Sequence, residues 1–336
     1  MEKTNNIILT GIKPTGVLHI GNYFSTINTA LQMINSSKST DTFMFFLADY
    51  HALNTIKNKD EFKENCYNLA AAWLACGILE KDNVVLYRQS DIDEVFKLNW
   101  VLCNVTNKGL MNRAHAYKAM VEENREKGED VDYNVNMGLY NYPILMAADI
   151  LIMNAKSVPV GQDQKQHVEI TREIARSFNA TYGECFNLPN ELIKKEVGTI
   201  VGLDGRKMSK SYNNVIPLFK DEGTLKKNIN RIVTDSTAVD ERKSTNCTIF
   251  EIFKLFATQE EINEMTNLFE KGIGWGEVKK RTFEVANRKL SPIREKYNYY
   301  ISNPQVIDEI LQAGAEKARK IAKNTMLKVE TLIGKL

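Results

Sequence analysis

Through the first two-thirds of the chain, short apolar runs alternate with longer stretches whose apolar residues recur every three or four positions. The runs IILTGI (7–12), TFMFFLA (42–48), NVVLYRQ (83–89) and SVPV (157–160) are bounded by polar or glycine-containing turns and read as buried strands. The intervening periodicity predicts helices over roughly Val17–Ile34, Lys59–Cys76, Pro143–Met153 and Asp163–Phe178, with Pro143 placed in the first turn of its helix. Apolar strands separated by helices imply a parallel sheet covered on both faces. Glu94–Asn141 carries no strand pattern and many polar residues, and reads as a helical insertion between two halves of the sheet. Beyond Lys207 the strand signal fades. Helices are expected over Glu222–Val233, Thr258–Glu270, Trp275–Lys289 and Pro304–Ile333, the last with an apolar face through Ile307, Ile310, Leu311, Ala318, Ile321 and Leu332. The expected class is α/β: a parallel-sheet domain over 1–205 with its insertion at about 94–141, followed by an all-helical domain over 206–336.

Composition changes this picture little. A chain of 336 residues is long for one core and suits two domains, and 43% apolar with 26% charged residues is ordinary for a soluble globular protein. No run approaches the roughly 18 apolar residues of a membrane span. The start, MEKTNNIILTGIKPTG, lacks the basic-then-apolar layout of a secretion signal, so a cytoplasmic location without membrane contact is expected. Cys66, Cys76, Cys103, Cys185 and Cys247 are scattered and odd in number, which supports neither a disulfide framework nor a protein-held metal.

Charge is distributed unevenly. Residues 1–205 hold 20 Lys+Arg against 25 Asp+Glu, and residues 206–336 hold 24 against 17. A basic C-terminal part permits a polyanionic partner there. A lysine-rich solvated surface would give the same count.

Three segments carry candidate chemistry. In TGIKPTGVLHIGNY (10–23) a strand ends at a glycine, a Pro-Thr-Gly turn follows, and a helix begins near His19. Gly11, Gly16 and Gly21 allow close backbone approach to a ligand, and the free N–H groups of a helix start favour phosphate. Taken alone, H-x-G fits any strand–turn–helix. In GLDGRKMSKS (202–211), Lys207 and Lys210 are three apart with small residues between them and reach one polyphosphate as point charges, with Arg206 as a third cation. K-x-x-K by itself is more often a surface loop. In LYNYPILMAADIL (139–151), Tyr142, Met146 and Asp149 fall on one face of a helix.

Together, H-I-G-N at 19–22 and K-M-S-K-S at 207–211 resemble the paired signatures of the class I aminoacyl-tRNA synthetases, the second letter for letter. Asn22 stands where that family commonly has a second histidine, and Asn there resembles many tryptophanyl enzymes. The segment SVPVGQDQKQH (157–167) is similar to their VPVGEDQKQH, with Gln162 in place of an acidic residue. Lys13 stands where many bacterial tryptophanyl enzymes have Gln. Tyrosyl enzymes share the layout but carry a glutamine at the position of Met146.

The resemblance implies a Rossmann-like catalytic domain with a helical anticodon-binding domain, a homodimer, and ligation of L-tryptophan to tRNA(Trp) through a tryptophanyl-adenylate. The substrates are ATP, accompanied by Mg²⁺, and tryptophan. It implies catalytic roles for His19, Lys207 and Lys210. ATP contacts are expected from Lys13, Pro14, Thr15, Gly21, Asn22, Gly161, Gln162, Asp163, Ile200, Lys207, Met208, Ser209, Lys210 and Ser211. Tryptophan contacts are expected from Ala48, His51, Tyr142, Met146, Asp149, Val158, Val160 and Gln164. Met146 would supply a polarizable wall for the indole and Asp149 an acceptor for its N–H, with Tyr142 and Gln164 at the ammonium. His115 and His167 are expected to be structural. A tyrosyl enzyme, a nucleotidyltransferase using the His19 motif alone, and a non-catalytic tRNA- or tryptophan-binding paralogue are the alternatives. Met146 argues against the first and the intact KMSKS against the other two.

Overall fold

A computed structural model describes residues 6–14, 16–38, 40–193 and 200–336. Five strands, β1 (Asn6–Ile12), β2 (Asp41–Leu47), β3 (Val84–Arg88), β4 (Ser157–Val160) and β5 (Asn190–Ile193), form one sheet in the order β3-β2-β1-β4-β5. Every pairing is parallel. The chain works outward from β1 to β3, then crosses back to place β4 on the other side of β1. This reversal leaves a crevice beyond the carboxyl ends of β1 and β4, where ligands of open α/β sheets bind. The interior strand β2 carries Phe43-Met44-Phe45-Phe46-Leu47 and is buried on both faces, as expected of a parallel sheet.

Strand ends fall within a residue of the apolar runs, whereas helix starts move. The first helix begins at Ile20 rather than Val17, because Gly16 is left-handed and His19 is held extended in a bridge to Pro217. It passes through a π-helical stretch, Tyr23–Ile27, before continuing as Asn28–Ser36. The helix expected to open at Pro143 runs Met137–Ile152, capped by the Asn136 side chain accepting from Leu139 N–H. Pro143 therefore sits inside that helix and forfeits one ladder bond. The insertion is helical, with helices over Asp93–Cys103, Lys108–Met111 and His115–Lys127.

After the sheet come helices Glu222–Asn230, Thr248–Phe256, Gln259–Lys271, Trp275–Ser302 and Pro304–Leu332. Thr248–Phe256 buries Ile249, Phe250, Ile252, Phe253 and Phe256. Packing runs across residue 206: Ile216, Leu218 and Leu225 share a core with Ile20 and Phe24. The Pro304–Leu332 helix returns to the sheet. Its Ala315, Ala318 and Ala322 pack in the cluster that holds Val85 and Tyr87. Gly314 is required at that crossing, since a β-carbon there would run into the Leu86 carbonyl oxygen. Arg88 and Tyr67 both bind Asp308, and Arg319 donates to the Asp91 carbonyl at 2.8 Å.

Candidate active site

The crevice at the strand reversal is a cavity of about 530 Å³. Its floor comes from Leu9–Ile12 of the first strand, one wall from Val158–Val160, and another from Leu139, Tyr142, Met146, Asp149 and Ile150 on the Met137–Ile152 helix. Ala48 and His51, just after β2, close the remaining side. All eight residues expected at an amino-acid pocket, Ala48, His51, Tyr142, Met146, Asp149, Val158, Val160 and Gln164, thus line one cavity, with Lys13 and Gly161 at its rim.

The polar end of the cavity is built around Asp149, which is 3% exposed. Burial pushes its carboxyl above the ordinary range, and hydrogen bonds from His51 and Gln89 pull it back. His51 Nε2 lies 3.0 Å from Asp149 Oδ2, and Gln89 Nε2 donates to both carboxylate oxygens at 2.9 Å. Gln89 follows β3 directly and is fully buried. On the helix that carries Asp149, the Tyr142 hydroxyl is 2.6 Å from Nε2 of buried His167. His167 therefore orients a cavity-lining hydroxyl rather than merely filling the core. Lys13, at the rim, has its pKa lowered by partial burial.

The phosphate-binding candidates form a second group beside the cavity. Leu18 and Ile20 pair through backbone hydrogen bonds with Leu218 and Ile216, which ties the HIGN turn to the segment that follows KMSKS. Gly16, at φ +53°, needs the left-handed freedom of glycine, and the Lys210 ammonium lies 3.1 Å from where its β-carbon would stand. Lys210 therefore reaches into the glycine turn. Burial, with the Lys210 charge beside it, lowers the His19 pKa to about 4, and Nδ1 of this imidazole makes no hydrogen bond among the described residues. Pro14 and Gly21 are buried, Gly21 against the His19 ring, and Asn22 Oδ1 accepts the His19 backbone N–H at 3.1 Å. Asn22 thus supports the turn from within.

The KMSKS segment is a short hairpin, in which Met208 N–H donates to the Ile200 carbonyl and Gly202 N–H to that of Arg206. Its organiser is Asn214, only 2% exposed. Asn214 Nδ2 donates to Asp204 Oδ1 at 2.7 Å and to the Lys207 carbonyl at 3.1 Å, and its Oδ1 accepts Ser209 N–H at 2.8 Å. Met208 is buried, Lys207 and Ser211 are exposed, and Ser209 caps the turn at Lys210. Arg206 does not join the lysines as a third cation at the turn. It is paired with Asp204 and lies 4.5 Å from the Tyr212 ring. Gly161 and Gln162 are exposed where β4 gives way to the 3₁₀ turn Gln162–Gln164. Thr15 and the Asp163 side chain lie outside the described residues. Sequence reasoning passed over Gln89 and Asn214, whose roles come from what they touch.

A sheet that reverses beside a glycine turn, with a KMSKS lysine folded onto that turn, defines a class I tRNA synthetase. The family model of class I tRNA synthetases (W and Y) matches residues 1–291, and the chain belongs to that family. Within it, the chain takes its place among the tryptophanyl-tRNA synthetases. It is 48% identical over 330 residues to the tryptophan–tRNA ligase of Neisseria meningitidis, covering 97% of each chain. It is 46% identical over 331 residues to that of Pseudomonas aeruginosa, covering 97% of this chain and 73% of the relative. Among solved structures, the Campylobacter jejuni tryptophanyl-tRNA synthetase complexed with ADP and tryptophan superposes with a TM-score of 0.88 at 44% identity, covering 98% of this chain and 99% of that one.

Proposed function

We propose that the chain activates L-tryptophan with MgATP and transfers it to tRNA(Trp). The observation that carries this reading is the cavity in which apolar Met146 and acceptor Asp149 stand on one helix face, beside a turn already occupied by Lys210. The indole N–H is a donor only, so a buried carboxylate suits it, and Met146 offers an apolar wall for the ring. Tyr142 and Gln164 face the ammonium. The carboxylate is itself the nucleophile on the α-phosphorus, so no general base is required. The protein supplies positioning and charge stabilisation. Neutral His19 donates to a phosphate oxygen, and Lys210 and Lys207 take up charge as pyrophosphate departs. Lys13, Pro14, Thr15, Gly21, Asn22, Gly161, Gln162, Asp163, Ile200, Met208, Ser209 and Ser211 frame the nucleotide, with Mg²⁺ arriving on it. A terminal hydroxyl of the tRNA then displaces AMP.

The basic helices beyond residue 206 contact the tRNA anticodon arm, consistent with their charge excess. On the insertion, half-buried Phe96 packs against Tyr50 at 4.8 Å and precedes Trp100, which is 72% exposed. This exposed aromatic group supports a homodimer joined there, and the reading includes a cytoplasmic location. ATP–pyrophosphate exchange assayed with each of the twenty amino acids tests the central claim. Tryptophan alone should support exchange, and preferential exchange with tyrosine would overturn it.

A further inference from the structure

The end of β3 carries a residue that faces the selecting carboxylate from behind. Gln89 is 0% exposed, and every polar atom of its side chain is engaged. Its Oε1 accepts Tyr50 N–H at 3.1 Å. A backbone N–H only donates, so this contact fixes the amide oxygen toward Tyr50 and turns the –NH₂ toward Asp149. Both Asp149 oxygens then receive that amide, and Oδ2 also receives His51. We infer that Gln89 is a specificity-determining positioning residue, whose amide holds the Asp149 carboxylate ionised and in one rotamer for the donor that enters the cavity. This deepens the reading of Asp149 as partner of the indole N–H and rests on it.

The logic is that of an acceptor prepared in advance. A buried carboxylate without donors takes up a proton or turns away, and in either case offers a weaker acceptor to the indole. The titratable groups around Asp149 are His51 in direct contact, Tyr87 within the range of its charge, and Asp49, which binds Ser90 and Tyr50 on the far side of Gln89. Tyr142 packs edge-on against His51. None of these donates to both oxygens at once.

Two variants separate this role from simple packing. Gln89→Met keeps the shape and removes both donor and acceptor. Gln89→Glu keeps the shape and the acceptor for Tyr50 but sets a second carboxyl against Asp149, so the pair binds tryptophan well only while sharing one proton. In pyrophosphate exchange near neutral pH, both should raise the tryptophan KM about tenfold to a hundredfold while leaving the ATP KM unchanged. As pH falls, the Met variant should worsen, because Asp149 protonates more readily, and the Glu variant should recover. Opposite slopes cannot come from His51, which both variants retain. Unchanged ATP KM shows that a variant has folded, and if the Met variant does not fold, the Glu variant's recovery carries the test. Tryptophan KM within about twofold of wild type in both variants, or parallel pH profiles, would overturn the inference. Asp149→Asn run alongside separates the two claims. If it leaves tryptophan KM unchanged, the reading of Asp149 fails, and if it impairs binding while the Gln89 variants do not, only the role of Gln89 fails.

Discussion

Replacing Asn214 by alanine tests whether KMSKS must be held in shape before ATP arrives. The side chain makes three hydrogen bonds, all inside the loop and partly buried, to Asp204, the Lys207 carbonyl and Ser209 N–H. A neutral hydrogen bond contributes about 1 kcal/mol net, so the bonds to the Lys207 carbonyl and Ser209 N–H set the scale of the effect. Their loss falls on the loop, so the sum measures how far the conformation presenting Lys210 to the Gly16 turn is depopulated. Discounting for non-additivity leaves about 1–2 kcal/mol, or roughly 5- to 30-fold in kcat/KM for ATP. Pyrophosphate exchange at varied ATP reads this directly. Tryptophan affinity by calorimetry should hold, since Asn214 does not line the cavity. Asn214→Asp should do no better than alanine, because it places an oxygen where Asp204 and the Lys207 carbonyl each need a donor. Exchange kinetics within about twofold of wild type, or rescue by Asp, would refute the reasoning.

Lys210→Ala should cost on the order of 10²-fold or more in exchange rate with tryptophan binding nearly intact, since its charge matters as pyrophosphate forms; wild-type exchange would exclude the role. Met146→Gln buries an amide against the indole face with no group to satisfy it and should weaken tryptophan by about 1–3 kcal/mol, or roughly ten- to a hundredfold, without raising tyrosine activation. Unaffected tryptophan exchange would place Met146 away from the substrate. His19, with its pKa down at about 4, is neutral throughout the physiological range. The kcat/KM for ATP should therefore show no titration that disappears in His19→Asn and lies near the ordinary imidazole value of about 6.5. Such a titration would show that the imidazole works as a cation.

The parts legible in the sequence are those where burial is written in composition. β2 reads as an unbroken apolar run because both its faces are covered. β5, NELI, was not expected: it lies at the sheet edge with three of its four residues exposed, so neither a buried run nor clean alternation marks it. Thr248–Phe256 escaped for the opposite reason. TIFEIFKLF is rich in aromatic and β-branched residues that favour strands, and tertiary packing overrides that preference. Pro143 drew the helix start to itself, whereas Asn136 supplies the cap seven residues earlier. The cavity-lining residues were recoverable through helix spacing and motif resemblance. Gln89 was not, because its meaning lies in Asp149, 60 positions away. Asn214 gave no periodic signal, being one polar residue in a polar loop.

The return of the Pro304–Leu332 helix to β3 has a consequence for how the protein is made. Asp308 meets Arg88 across 220 residues of chain, and Gly314 seats against the Leu86 carbonyl. During synthesis, β3 leaves the ribosome more than 200 residues ahead of the helix that covers it, so that part of the sheet face waits bare for its partner. Contacts so distant in sequence form late and slowly, and the waiting surface is apolar. The parallel sheet therefore does not close as an independent early unit on the ribosome. Its closure waits for this helix, so a deletion removing residues 304–332 should impair amino-acid activation.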